Sequence, residues 1–163
     1  MRFIKISILL LMPASLGINQ TANLSWGELN QETQTIEVLL LNDTIVGGVQ
    51  FQTSGIEFTS ASGGFSNEYG WMLEMGWTGL FLGFSFESNL VPPSTGHRLL
   101  ANLHYTTLPE DLSDIELYDA VVAGAPGQPQ LLPTYGSCDD LESTYFGENY
   151  CGSGCSDPLA CNY

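Results

Sequence analysis

The stretch "IEVLLLNDTIVGGVQF", residues 36–51, decides the fold. Ile36, Val38 and Leu40 alternate with Glu37, Leu39 and Leu41. Polar residues and the Gly47-Gly48 pair interrupt, and then Val49 and Phe51 alternate with Gln50 and Gln52. A period of two sends successive side chains to opposite faces of an extended chain, whereas a helix repeats its apolar positions every three to four residues. Two such runs with turn-forming residues between them read as neighbouring strands.

The same signal spreads outward. Ile56 and Phe58 flank Glu57. Leu80, Leu82, Phe84 and Phe86 share one face, with Phe81, Ser85 and Glu87 on the other. Leu99, Ala101, Leu103 and Tyr105 alternate with Leu100, Asn102 and His104, and Ile115 and Leu117 flank Glu116. Between these runs lie Gly63-Gly64, Gly76 to Gly79, Pro92-Pro93 with Gly96, and "AGAPGQP". No helical period appears. Many short strands with Gly/Pro turns predict an all-β fold of two facing antiparallel sheets over residues 33–133, burying every second side chain. Phe84 and Phe86 are expected in that core.

The ends differ from this middle. Arg2 and Lys5 flank the apolar run Ile4 to Met12, and small residues follow, as in a signal peptide over residues 1–17. The run is too short to span a bilayer, which takes about 20 residues. The chain is thus expected to be secreted or at the cell surface, and not membrane-spanning. Residues 18–32 read as a polar lead. Removing 1–17 leaves Arg98 as the only Lys or Arg against 18 acidic groups, so the formal charge of −15 becomes 1 − 18 = −17. A surface without positive charge argues against nucleic-acid binding and against a polybasic contact with anionic lipid.

Four cysteines, Cys138, Cys151, Cys155 and Cys161, crowd into a tail of residues 134–163, with twelve, three and five residues between them. Zinc would call for C-x2-C pairs or nearby histidines, and His97 and His104 lie far upstream. In an exported chain disulfides are the expectation, with Cys138–Cys151 and Cys155–Cys161 as the suggested pairs among three arrangements.

In order, "IEVLLLNDTIVGGVQFQTSGIEFTSASGG", "LGFSFESNLVPPSTGHRLLANLHYTTL" and "LYDAVVAGAPGQPQLL" resemble the cohesin-like modules of secreted bacterial proteins, over residues 36 to 132. Val49 stands where that family usually has Phe. The resemblance implies a jelly-roll-like β-sandwich, related in shape to carbohydrate-binding modules, that acts in extracellular assembly by gripping a partner module. "GCSDPLACNY" resembles a Gly-Cys-Thr-Asp-Pro-x-Ala-Cys-Asn-Tyr motif of secreted marine bacterial proteins. There the chain usually continues to a further cysteine, which implies a truncated repeat or a piece of a larger multi-module chain.

Candidate ligand contacts concentrate in "GGFSNEYGWMLEMGWTGLF", which carries Phe65, Tyr69, Trp71, Trp77 and Phe81. Exposed aromatic rings stack on sugars and anchor protein partners. The segment reads as a hairpin with strands near 70–75 and 79–87. Trp77 falls at its turn, open to either function or packing, while Trp71 shares a strand face with Tyr69, Leu73 and Met75 and reads as core. Ca2+ is weakly suggested by Glu110, Asp111 and Asp114 and by Asp139, Asp140 and Glu142, though no ligand spacing is recognisable. Asn23-Leu-Ser25 and Asn42-Asp-Thr44 have the form of glycosylation sequons. Neither G-x-S-x-G nor H-E-x-x-H occurs, so catalysis is not expected.

The sequence therefore predicts a secreted, non-enzymatic module that binds a protein or polysaccharide through one sheet face or the 65–81 aromatic region. A structural repeat of a surface or adhesin array is the alternative. A small glycoside hydrolase is a third reading; it needs two carboxylates facing each other across a cleft, and Glu74 and Glu87 both on a convex or buried face would count against it.

Overall fold

The computed structural model describes residues 20–135. The signal-peptide reading, all four cysteines and the acids at 139–142 lie outside these residues. The described elements are β1 (Thr21–Asn30), β2 (Thr35–Asn42), β3 (Val46–Ser54), β4 (Phe58–Ser62), α1 (Gly64–Glu68), β5 (Met72–Met75), β6 (Leu80–Phe84), β7 (Arg98–Tyr105), β8 (Glu116–Gly124) and β9 (Leu132–Tyr135), with a 3-10 turn at Leu112–Asp114. They form two sheets, one of five strands in the order β4-β7-β2-β1-β9 and one of four in the order β5-β6-β3-β8. Every pairing is antiparallel except β1 with β9, which is parallel. The fold is the expected all-β sandwich.

The core fills the space between the sheets. Leu24, Trp26, Ile36, Val38, Leu40, Ala101 and Leu103 reach in from the five-stranded sheet, and Val49, Phe51, Phe81 and Val122 from the other, all at most 3 % exposed. Phe51 and Phe81, cross-strand partners on β3 and β6, stack with centroids 4.4 Å apart and planes 12° from parallel. Burying an aliphatic or aromatic side chain of this size stabilises by about 1.5–3 kcal/mol, so these positions dominate the folded state. Burial also pushes the Tyr105 phenol above its ordinary pKa, because desolvation disfavours the phenolate.

The structure corrects the sequence reading in four places. The sandwich does not begin at residue 33: β1, between β2 and β9, occupies most of the expected polar lead. Its Leu24, Trp26 and Leu29 are core, though Ser, Gly and Glu intervene. Residues 64–68 form a single helical turn where none was expected. Five residues are too few to show a helical period, and this turn is held by tertiary contacts. The Ser66 hydroxyl donates to Leu100 O at 2.6 Å. Gly64, with φ +65°, lies where a Cβ would meet that same carbonyl oxygen at 2.3 Å. Asn42 is fully buried and donates to Thr44 O and Pro92 O, so that sequon is closed to modification in the folded chain.

The fourth correction concerns β6. Phe81 and Gly83 point into the core, and the Leu80/Leu82/Phe84 face points out. Phe86, just past the strand, is 76 % exposed. Both faces of this strand are apolar, so its alternation left the inward side undetermined. A one-residue change of register flips every side chain.

Candidate functional site

That outward-facing apolar set lies on the outer face of the four-stranded sheet. The register lays out three rows across it. Met72, Phe84, Gly48 and Ala123 form the first, Glu74, Leu82, Gln50 and Val121 the second, and Leu80, Gln52 and Tyr118 the third. Met72 is 44 % exposed, and Tyr118 and Val121 are also exposed. Phe86 packs edge-on against Phe84, centroids 4.8 Å apart and planes at 79°.

A bulge in β8 keeps this face continuous. Its pairing with β3 shifts between Gln50 and Gln52, so that Asp119 and Ala120 together oppose one residue. Asp119 takes φ +48°, and the Ala120 N–H, freed from the ladder, donates to the Tyr135 hydroxyl at 2.9 Å. The extra residue lets Tyr118 and Val121 both remain on the outer face. A strict alternation would have turned one of them inward.

The predicted ligand residues separate. Trp77 sits in the β5–β6 turn and is 96 % exposed, beyond the Leu80 end of the face. Gly79, at φ +83°, seats that turn by passing its carbonyl to the Thr53 N–H and hydroxyl. Phe81 is fully buried on Phe51, and Phe65 is buried edge-on to Trp71. Neither reaches solvent, because the chain around each turns its ring inward. Tyr69 is half-buried and edge-on to Phe65. Trp71 is core as read, its indole N–H donating to Asn89 O at 2.9 Å. Sequence reasoning missed Leu82, Phe84, Val121 and Tyr118 as surface. The signal for Leu82 and Phe84 was present as the two-sided apolar character of 80–86, while Tyr118 and Val121 share a face only through the bulge in β8.

Among the described residues the fully exposed charged side chains are acidic, and Arg98, the only Lys or Arg there, is half-buried. Its guanidinium lies 5.0 Å from the Phe65 ring centre and donates to Asn42 Oδ1 and Pro92 O. Glu74 and Glu116 are exposed at opposite edges of the four-stranded sheet, and Asp119 is exposed at the bulge. Glu87, paired with Glu74 as the check on the hydrolase reading, lies in the loop after β6, where it accepts from the Asn89 amide.

The opposite face of the molecule carries a polar cleft of about 340 Å³ across the five-stranded sheet. It is lined by polar side chains of β1, β2, β4 and β7 and the β1–β2 turn, among them Glu28, Thr33, Glu37, Ser62, Asn102 and His104. The Ser62 hydroxyl and His104 Nε2 are 2.7 Å apart. Among the described residues no three His, Cys, Asp or Glu side chains assemble as a metal-binding group, and no helix is long and apolar enough to cross a membrane.

No protein-family model matches the chain, and no curated protein does. Among solved structures, a non-cellulosomal cohesin from the hyperthermophilic archaeon Archaeoglobus fulgidus is similar with a TM-score of 0.46 and 13 % identity, over 72 % of this chain and 86 % of that one.

Proposed function

We propose that this chain is an extracellular, non-catalytic protein-binding module whose docking surface is the outer face of the β5-β6-β3-β8 sheet. The observation that carries the reading is the outward Leu82, Phe84 and Val121, flanked by exposed Met72, Tyr118 and Phe86. The apolar groups of β5 and β6 and those of β8, joined across Gly48 and parted by Gln50 and Gln52, leave an exposed apolar face on a rigid sheet, as interaction sites do. The resemblance of residues 36–132 to cohesin-like modules supports the same reading.

The occupant is a protein with apolar side chains ringed by Lys or Arg. Glu74, Glu116 and Asp119 border the patch, and Arg98, the only Lys or Arg among the described residues, lies in the other sheet. Complementary charge around an apolar centre raises the association rate and suppresses wrong partners. A second copy is disfavoured, because it brings the same acids to the same border. A polysaccharide is disfavoured because Phe84 and Phe86 stand edge to face rather than as coplanar platforms, and Trp77 stands alone at the turn.

The test places a photo-crosslinking residue at Val121, and separately at Glu28 on the opposite face, and exposes each chain to the source secretome. One partner is expected to be captured from position 121 and not from 28. Leu82→Glu should abolish the capture, and about 0.5 M NaCl should slow the association. Equal capture from both positions, or capture unaffected by Leu82→Glu, removes the docking face.

A further inference from the structure

We propose that Trp77 is a rim contact of the docking face, and that its indole takes a Lys or Arg side chain of the protein partner by a cation–π interaction. This role, which rests on the docking reading of the β5-β6-β3-β8 sheet, gives that face the residue that selects a basic border on the partner.

Trp77 is 96 % exposed, and its side chain makes no hydrogen bond or ring contact with another described residue. The other two tryptophans, Trp26 and Trp71, are buried at 3 % and 6 %. A single apolar side chain in water is ordinary. The turn that carries this one sets it apart. The Gly79 N–H donates to Gly76 O at 3.0 Å, and the Gly76 N–H donates to Leu80 O at 2.7 Å. Gly79 O in turn accepts from the Thr53 N–H and hydroxyl, and a Cβ at Gly79 would meet Thr53 O at 2.4 Å. The turn is thus fixed to β3 as well as to β6. Gly79, at φ +83°, alone supplies the left-handed position that a short hairpin loop needs. Nothing in the turn chemistry calls for an aromatic ring at position 77. A rigid mount also lowers the entropy lost when a partner orders the side chain.

Trp77 and Phe86, the two most exposed large apolar side chains among the described residues, stand beyond opposite ends of β6. Between them Leu80, Leu82 and Phe84 face outward. From Leu80 to Phe84 the strand spans about 13 Å, at about 3.3 Å per residue. A standard protein interface takes about 800 Å² per partner, a patch about 30 Å across. A partner centred on Leu82 therefore overhangs both ends of the strand and reaches the turn.

The position selects the chemistry. The centre of an interface is apolar, and its rim is polar and solvated. A partly solvated ring at the rim is held by a cation over its face, an interaction for which Trp is the best aromatic side chain. Glu74, exposed on the strand that leads into the turn, adds negative potential at this end and repels an acidic contact.

The test takes the protein captured through position 121 in the experiment above, purified, and titrates it into the full chain. Indole emission should change on binding in the wild type and not in Trp77→Phe, because Trp26 and Trp71 are already covered. Trp77→Leu and Trp77→Ala should each raise the Kd about fivefold or more, and Trp77→Phe should raise it less, since Phe keeps a π face and Leu keeps only apolar area. Thermal unfolding checks that each variant folds. Equal affinity of the Leu and Phe variants reduces the contact to plain apolar burial and overturns the cation–π role. Unchanged affinity in Trp77→Ala overturns the rim contact and leaves the docking face standing. Failure of capture at position 121 removes both.

Discussion

At the scale of single residues, Phe81 and Trp77 exchange the roles that their sequence neighbourhood suggests. Both are aromatic, four positions apart in one hairpin, and both read as ligand contacts. Phe81 is sealed against Phe51, while Trp77 is almost wholly in water. Phe81→Ala should therefore cost about 3–5 kcal/mol in denaturant unfolding, and Trp77→Ala less than about 0.5 kcal/mol. A large loss at Trp77 and a small one at Phe81 would mean that the strand faces the other way. The aromatic character of the segment was legible because composition is local. Which ring is covered was not, because burial depends on a sheet contributed by residues far along the chain.

At the scale of elements, the bulges in β1, between Trp26 and Leu29, and in β8 shape the two outer faces. Each adds one residue against a partner strand that has none to match, and each breaks the period of two that made the strands readable. In β8 the added residue holds Asp119 at φ +48°, a region that Asp tolerates and a β-branched residue does not. Asp119→Val should destabilise by about 1–2 kcal/mol, whereas Asp119→Gly should stay within about 0.5 kcal/mol of wild type in the same unfolding measurement. Equal stability of the two variants would show that the bulge relaxes without its left-handed residue. The same logic explains α1. A single turn has no period to detect, and it exists because Ser66 and Gly64 find the end of β7.

At the scale of the whole molecule, the exclusion of positive charge governs behaviour. With Arg98 committed to Phe65 and two carbonyl oxygens, acidic side chains dominate the charge of the described surface. Such a surface repels itself, and raising NaCl from about 10 mM to about 1 M shortens the screening length from about 30 Å to about 3 Å. The melting temperature should rise across that range, and equally in KCl. A flat or falling curve would mean that the acids are already compensated. The amino-acid sequence by itself marked strands at β2, β3, β5, β6 and β7, most of the core of β2 and β3, and the sign of the net charge, because alternation and charge are written residue by residue. Tertiary structure alone decided that β1 completes the sandwich, which face of β6 looks outward, and where the polar cleft and the apolar face fall. Those outcomes depend on register between strands distant in sequence, and a strand apolar on both sides holds no information about which side its partner sheet will cover.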